Sequence, residues 1–369
     1  MKRWKKMKKT LSVLLVLCML LAVCSACASS APAASSSAAP ANESKEPASE
    51  AAPEETPAEP EMEAISLKLG TTGPAPGDDV YVASCYFADA VEKISDGKIK
   101  VEVIGSGALG TTAQHYAQLK EGSLDFFTTA FDTATSMVNG DDFAVVACPY
   151  LFRDIDHYQK FLDSDLLKEM LAPVEEANNV VYLGPLGFRL PRGLNCTFPV
   201  HSVDDVKNLK IRTPDTVSTQ RVWEAMGANP MIIAASDLYT SLQSGICDAQ
   251  ENDYKTSYNN GWMEAAHYYM ELDYIQQGNV LYISDSTWSK LNDQQKEWIS
   301  TALVDAHKAF NDDAATALVD MRDKIIADGY VFVEDVDIQS FRDKAAEVVD
   351  TLDGTLWSAG LVEKIRDIK

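Results

Sequence analysis

Ile65-Ser66-Leu67-Lys68-Leu69 and Ile99-Lys100-Val101-Glu102-Val103-Ile104 each alternate apolar and polar residues, the period of a half-buried strand. Between them Val82, Phe87, Ala90, Val91 and Ile94 recur at helical spacing across Val80 to Ile94, and Asp96-Gly97 turns the chain back. Thr111 to Glu121 reads as a second helix ended by Gly122, and Leu124 to Thr128 as a third strand. Parallel neighbours need a crossover connection, and each helix here supplies one. Strand, helix, strand, helix, strand therefore predicts an α/β fold with a largely parallel sheet.

A second set of elements follows downstream. Asn179 to Gly184, Lys210 to Thr213 and Val280 to Ser284 read as strands, Ser218 to Met226 and Asp237 to Ser244 as helices. Asp293 to Asp328 contains neither Gly nor Pro. Across it Trp298, Ala302, Ala306, Phe310, Ala314, Leu318, Met321 and Ile325 recur at three- or four-residue spacing. The spacing predicts one helix of about 36 residues, about 54 Å long, a strut lying across two domains. Two helices meeting at a kink near Asn311-Asp312-Asp313 are the alternative.

Upstream of this body the composition changes twice. Lys2, Arg3, Lys5, Lys6, Lys8 and Lys9 precede an apolar run from Leu11 to Val23, too short for a membrane span and of the length found in secretory leaders. Ser25-Ala26-Cys27 resembles the site at which bacterial lipoproteins are cleaved and acylated, which makes Cys27 the expected attachment point, with Cys24 as the alternative. The leader is then residues 1–26. Residues 27–62 are rich in Ala, Ser, Pro and Glu. They cannot bury enough surface to offset their ordering entropy, so they are expected to be a disordered tether spanning about 30–35 Å r.m.s.. The remaining body, 63–369, is long enough for two lobes.

Charge and residue usage exclude several classes. The net charge of −23, more negative still once the basic leader is gone, argues against nucleic-acid binding. It also means that any anion-binding site must hold its own local positive charge. Cys85, Cys148, Cys196 and Cys247 show no C-x-x-C spacing; free thiols or one disulfide are both compatible with the sequence. The five histidines show no metal-ligand spacing, so no metal is expected. No Gly-x-Ser-x-Gly elbow is present and no carboxylate pair stands out. Gly105-Ser106-Gly107-Ala108-Leu109-Gly110 matches a dinucleotide fingerprint on paper. No acidic residue clearly ends a second strand at the required distance, and an exported chain is a poor place for such a cofactor. A tight strand-to-helix turn explains the glycines, and no cofactor is expected.

Several short segments now fall into register. They are Gly97 to Val103 leading to Ser106-Gly107-Ala108-Leu109-Gly110, then Glu121-Gly122-Ser123-Leu124-Asp125, then Cys148-Pro149-Tyr150-Leu151-Phe152-Arg153-Asp154. Asp205-Val206-Lys207-Asn208-Leu209-Lys210-Ile211-Arg212-Thr213-Pro214 follows, then Gly227-Ala228-Asn229-Pro230, Leu238-Tyr239 and Gly245-Ile246-Cys247-Asp248-Ala249-Gln250-Glu251-Asn252. In this order, from about Ile65 to the C-terminus, the body resembles the solute-binding subunits of tripartite ATP-independent periplasmic (TRAP) transporters, the DctP-like family. The resemblance implies a two-lobed, periplasmic-binding-protein-like α/β fold with a long helix spanning both lobes. Lobe I would be about 65–189 and 278–317, lobe II about 190–277 and 318–369. It implies an extracytoplasmic binding protein, not an enzyme, that captures a small carboxylate and passes it to small and large membrane subunits. An extracytoplasmic enzyme or a sensory binding subunit on the same scaffold are the rival classes.

The resemblance also assigns residues. Arg212, at the end of its strand, would grip the ligand's carboxylate, because a guanidinium offers two parallel N–H donors that match two carboxylate oxygens. Arg192 would be a second cation, with Arg189 as the rival for that role. Asn252 would touch the ligand, since an amide both donates and accepts. Asp253 and Tyr254 would face the pocket, and Phe131 would supply an apolar wall, with core packing as its other reading. Ala235 stands where some relatives carry a bulky aromatic, and Met270-Glu271-Leu272-Asp273-Tyr274 lacks a histidine common there. Both departures leave the identity of the ligand open.

Overall fold

The computed structural model describes residues 63–369 except 74–75. The expected leader, Cys24, Cys27 and the linker to residue 62 lie outside the described residues. The body begins as its periodicity predicts: β1 (Ile65–Gly70), α1 (Asp79–Ile94), β2 (Ile99–Ile104), α2 (Thr112–Glu121) and β3 (Phe126–Ala130). A capping box between Thr111 and Gln114 opens α2, and Gly122, at φ 72°, closes it in the left-handed region. Next come α3 (Ile155–Leu162), α4 (Asp165–Asn178), β4 (Val180–Cys196), β5 (Lys210–Thr213) and α5 (Val217–Ala225). They are followed by β6 (Asn229–Ile232), α6 (Leu238–Gln243), β7 (Ala249–Asn252), α7 (Tyr254–Asn259) and α8 (Trp262–Ala265). The chain ends with β8 (Tyr268–Ser284), α9 (Asp285–Trp288), α10 (Asp293–Leu318), α11 (Met321–Ala327), β9 (Val331–Phe332), α12 (Ile338–Leu352) and α13 (Leu361–Arg366).

One sheet runs through both lobes in the order β2-β1-β3-β8-β4-β7-β5-β6, with β9 on β8. Each end of it is parallel: β1 pairs with β2 and β3, and β5 with β6 and β7. The middle is not. β4 and β8, each 17 residues long, run antiparallel to one another and join the two ends. The strands read from sequence at 179–184 and 280–284 are only the ends of these crossing strands. The alternation is lost because the strands bulge, with register shifts between Tyr182/Gly184, Pro185/Phe188, Arg189/Arg192 and Arg192/Leu194. Gly187 is required at one such place: its φ is +92°, and a Cβ there would lie 2.4 Å from the Phe310 ring of α10.

The helix expected from Asp293 to Asp328 is corrected in length. α10 runs 26 residues, about 39 Å, from a capping box between Asn292 and Gln295 to Leu318. The chain breaks at Val319-Asp320, not near Asn311, and resumes as α11. Packing explains the break without Gly or Pro. Ile299, Ala302, Leu303, Ala306 and Phe310 sit in a core with Phe87, Phe126 and Leu281, whereas Ile325 of α11 packs with Met263, Tyr269 and Phe332. The break falls where the chain leaves the first of these clusters and enters the second. The protein is thus an α/β fold of two lobes linked by a long helix. Among the described residues the four cysteines are free thiols, and no helix is long and apolar enough to cross a membrane.

Candidate functional site

The loops that leave the carboxyl ends of the parallel strands converge on one cleft of about 690 Å³. This is where the chain reverses between strand and helix and where open α/β sheets bind their ligands. The loops after β2 and β3, with the start of α2, supply Ser106, Gly107, Thr111, Gln114, Thr133 and Ser136 to one wall. β5 supplies Arg212, and the loops after β5 and β6 supply Pro214, Asp215, Thr216, Ala235 and Ser236, to the other. Pro214 is shared with a smaller cavity of about 30 Å³, whose walls include Phe131, Asp132, Tyr158, Arg192 and Gln277.

Arg212 lies between Met231 of β6 and Gln250 of β7. It is 5% exposed. Its Nε donates to the Ile233 carbonyl at 2.8 Å, which fixes the plane of the guanidinium. Among the described residues no carboxylate forms an ion pair with it. Burial pulls its pKa down to about 10, partly offset by the charge of Glu251, so it remains protonated at neutral pH.

Arg192 is held differently. Its Nε and Nη2 donate to the Glu251 carboxylate, Nη2 also reaches the Glu251 carbonyl at 3.0 Å, and Nη1 donates to Gln277 Oε1 at 2.8 Å. Burial opposes its charge, but Glu251, with Tyr274 and Asp132 behind it, holds its pKa above the ordinary arginine value. Tyr274 Oη donates to the same carboxylate at 2.6 Å. Arg189, the rival, is buried in a third arrangement. Its Nη2 donates to Asn252 Oδ1 at 2.9 Å, to Asp253 Oδ2 at 3.1 Å and to Thr256 Oγ1 at 3.2 Å. Asn252 and Asp253 therefore stitch β4 to the end of β7, and Asp253 also caps α7 by accepting from the Thr256 amide at 2.7 Å.

The structure thus brings Arg212 into the large cleft, and Arg192 and Phe131 into the adjoining small cavity. Phe131 is stacked on Tyr182 with ring centroids 5.3 Å apart. Arg189, Asn252 and Asp253 form the buried network beside them. Tyr254 packs edge-on to Tyr269 and Phe332, within the cluster that includes Ile325. Sequence reasoning missed the wall built by the glycine-bearing turn after β2. The signal was present: Ser106 and Gly107 take positive φ, and small polar residues follow a strand's carboxyl end. Asp132, directly after Phe131, was also missed.

Comparison with known proteins places the chain. Residues 70–354 match the model of the family described as bacterial extracellular solute-binding protein, family 7. A solute-binding protein of Roseobacter denitrificans is 27% identical over 272 residues, 73% of this chain and 81% of that one. The sialic acid-binding periplasmic protein of Vibrio cholerae is 29% identical over 252 residues, 66% of this chain and 76% of that one. Among solved structures, a TRAP periplasmic solute-binding protein of Roseobacter denitrificans with bound L-galactonate is similar at TM-score 0.73 and 25% identity, over 82% of this chain and 99% of that one. The sugar acid-binding protein of Advenella mimigardefordensis in complex with galactonate shares the fold at TM-score 0.76 and 23% identity, over 84% and 98% of the two chains. This chain belongs to the bacterial extracellular solute-binding protein family 7, the DctP family of TRAP transporter binding proteins, which are extracytoplasmic and not enzymes.

Proposed function

We propose that this protein captures a small organic acid through its carboxylate, closes its two lobes over it and delivers it to the small and large membrane subunits of a TRAP transporter. The observation that carries this reading is Arg212: a buried guanidinium without a carboxylate partner among the described residues, on the wall of the cleft. A cation kept there in so acidic a chain is costly unless an anion arrives to pair with it. We assign Arg212 to the carboxylate, with Arg192 behind it as a fixed positive charge and Phe131 as an apolar wall. Arg189, Asn252, Asp253 and Tyr254 complete the proposed set, the first three by holding the crossing strands in place beside the ligand. The sugar acids bound by the similar structures are carboxylates of the size that the cleft admits.

Lobe I is taken as about 65–189 and 278–317, and lobe II as about 190–277 and 318–369. The ligand stabilises the closed arrangement only by contacts it makes better there than in the open one. Arg212 on one wall and the polar groups of the β2 and β3 loops on the other supply that difference. A thermal-shift screen of carboxylic acids tests the function: at least one small acid should raise the melting temperature in a concentration-dependent way, as mass action requires. A broad panel of small acids without any stabiliser would contradict it.

We further propose that the mature chain is held at the membrane by a lipid on Cys27. Mass spectrometry of the protein isolated from membranes should find an N-terminal peptide beginning at Cys27 with a diacylglycerol mass. An unmodified, secreted chain, or acylation at Cys24, would contradict that assignment.

A further inference from the structure

The small cavity beside the cleft holds a carboxylate that the fold does not use. Asp132 follows β3 at the junction of the two spaces: it lines the inner cavity with Arg192, Tyr158 and Gln277, while its neighbour Thr133 lines the cleft. Its backbone carbonyl accepts from Thr135 Oγ1 at 2.9 Å, but no described side chain bonds its carboxylate. Arg192, which faces the same cavity, already spends four of its five N–H donors on Glu251 and Gln277. Asp132 is thus a half-buried acceptor beside an arginine that is already engaged.

The inner cavity is about 30 Å³, room for one or two water-sized groups. A hydroxyl fits and can donate to Asp132. A second carboxylate there would lie against Asp132, while Arg192, the cation lining that cavity, is already paired with Glu251. The cleft outside is walled by hydroxyls and an amide, Ser106, Thr111, Gln114, Thr133, Ser136 and Ser236, types that suit neutral hydroxyls, although Thr133 Oγ1 donates to the Ala130 carbonyl at 2.7 Å and Thr111 and Gln114 also form the capping box of α2. Asp215, also on the wall, adds a further negative charge.

We propose that Asp132 is a specificity residue: it accepts a ligand hydroxyl in the inner cavity and excludes a second carboxylate, so the site takes hydroxylated monocarboxylates and rejects dicarboxylates of the same carbon chain. This rests on Arg212 holding the single carboxylate, as proposed above.

The test is calorimetric titration of the whole body with aldonates of four to six carbons and with the matching aldarates, which differ only in a second terminal carboxylate. At least one aldonate should bind at least tenfold more tightly than its aldarate. Asp132→Asn, which keeps shape and removes the charge, should bring the pair to within about threefold, chiefly by improving the aldarate. Because a ratio is read, a misfolded variant would lose both ligands, and Asp132→Ser then serves as the second variant. An aldarate that binds the unaltered protein as well as its aldonate overturns the proposal, as does a ratio unmoved by either variant. So does binding of other acids with none of the aldonates. That last outcome leaves the carboxylate reading intact, whereas failure of every carboxylate would overturn the reading itself.

Discussion

Arg212→Ala is expected to abolish measurable binding of the ligand, and Arg212→Lys to weaken it at least tenfold, with both variants folded. The expectation follows from geometry. The guanidinium is buried and is oriented by a single bond from Nε to the Ile233 carbonyl, and no described carboxylate is paired with it. Each charge-assisted bond to a buried carboxylate is worth about 1.5–3 kcal/mol, so losing two costs on the order of 10² to 10⁴ in affinity. Lysine keeps the charge but not the planar fork, and its smaller loss measures the value of bidentate geometry. The fold should survive because, among the described residues, no ion pair depends on Arg212. Calorimetry with the strongest stabiliser from the screen, alongside a melting curve, reads both quantities. Unchanged affinity in Arg212→Lys would remove Arg212 from the site.

The second large effect lies beneath the cleft. Glu251→Ala is expected to destabilise the protein by about 3–5 kcal/mol, because it leaves the buried Arg192 without its carboxylate. Tyr274 would also lose the acceptor that its hydroxyl now holds at 2.6 Å. For a body of this size the melting temperature should fall by on the order of 10 °C. Glu251→Gln, which retains an acceptor, should fall less. The comparison separates the two arginines: truncating at Glu251 acts on stability first, whereas truncating at Arg212 acts on binding first. A melting temperature unaffected by Glu251→Ala would mean that the Arg192–Glu251 pair does not hold the crossing strands.

The contrast between these two residues also shows what a sequence can and cannot disclose. Both arginines were readable as cations near one pocket. Arg212 stands at a strand end in a recognisable segment, Leu209-Lys210-Ile211-Arg212-Thr213-Pro214, and strand ends in α/β folds face the ligand. Arg192's engagement was hidden, because its partner Glu251 lies 59 residues away and meets it only through the pairing of β4 with β7. The first lobe was legible because its strands and helices follow clean periods. The crossing strands were not, since Gly184, Pro185, Gly187, Pro191 and Gly193 interrupt β4 just where bulges let it run on. The length of α10 was overread for the opposite reason. Val319-Asp320 carries no breaker and the apolar spacing continues across it, yet the turn falls where the chain passes from the cluster around Phe310 to the one around Ile325. Asp132 gave no periodic or motif signal at all; only its place beside Arg192 marks it.

The most direct measurement is a crystal structure of the protein with the strongest stabiliser bound. The ligand should lie between the walls of the cleft with both oxygens of one carboxylate on the Arg212 guanidinium, at donor–acceptor distances of about 2.7–2.9 Å. A ligand bound with its carboxylate away from Arg212, or bound outside the cleft, would contradict the account.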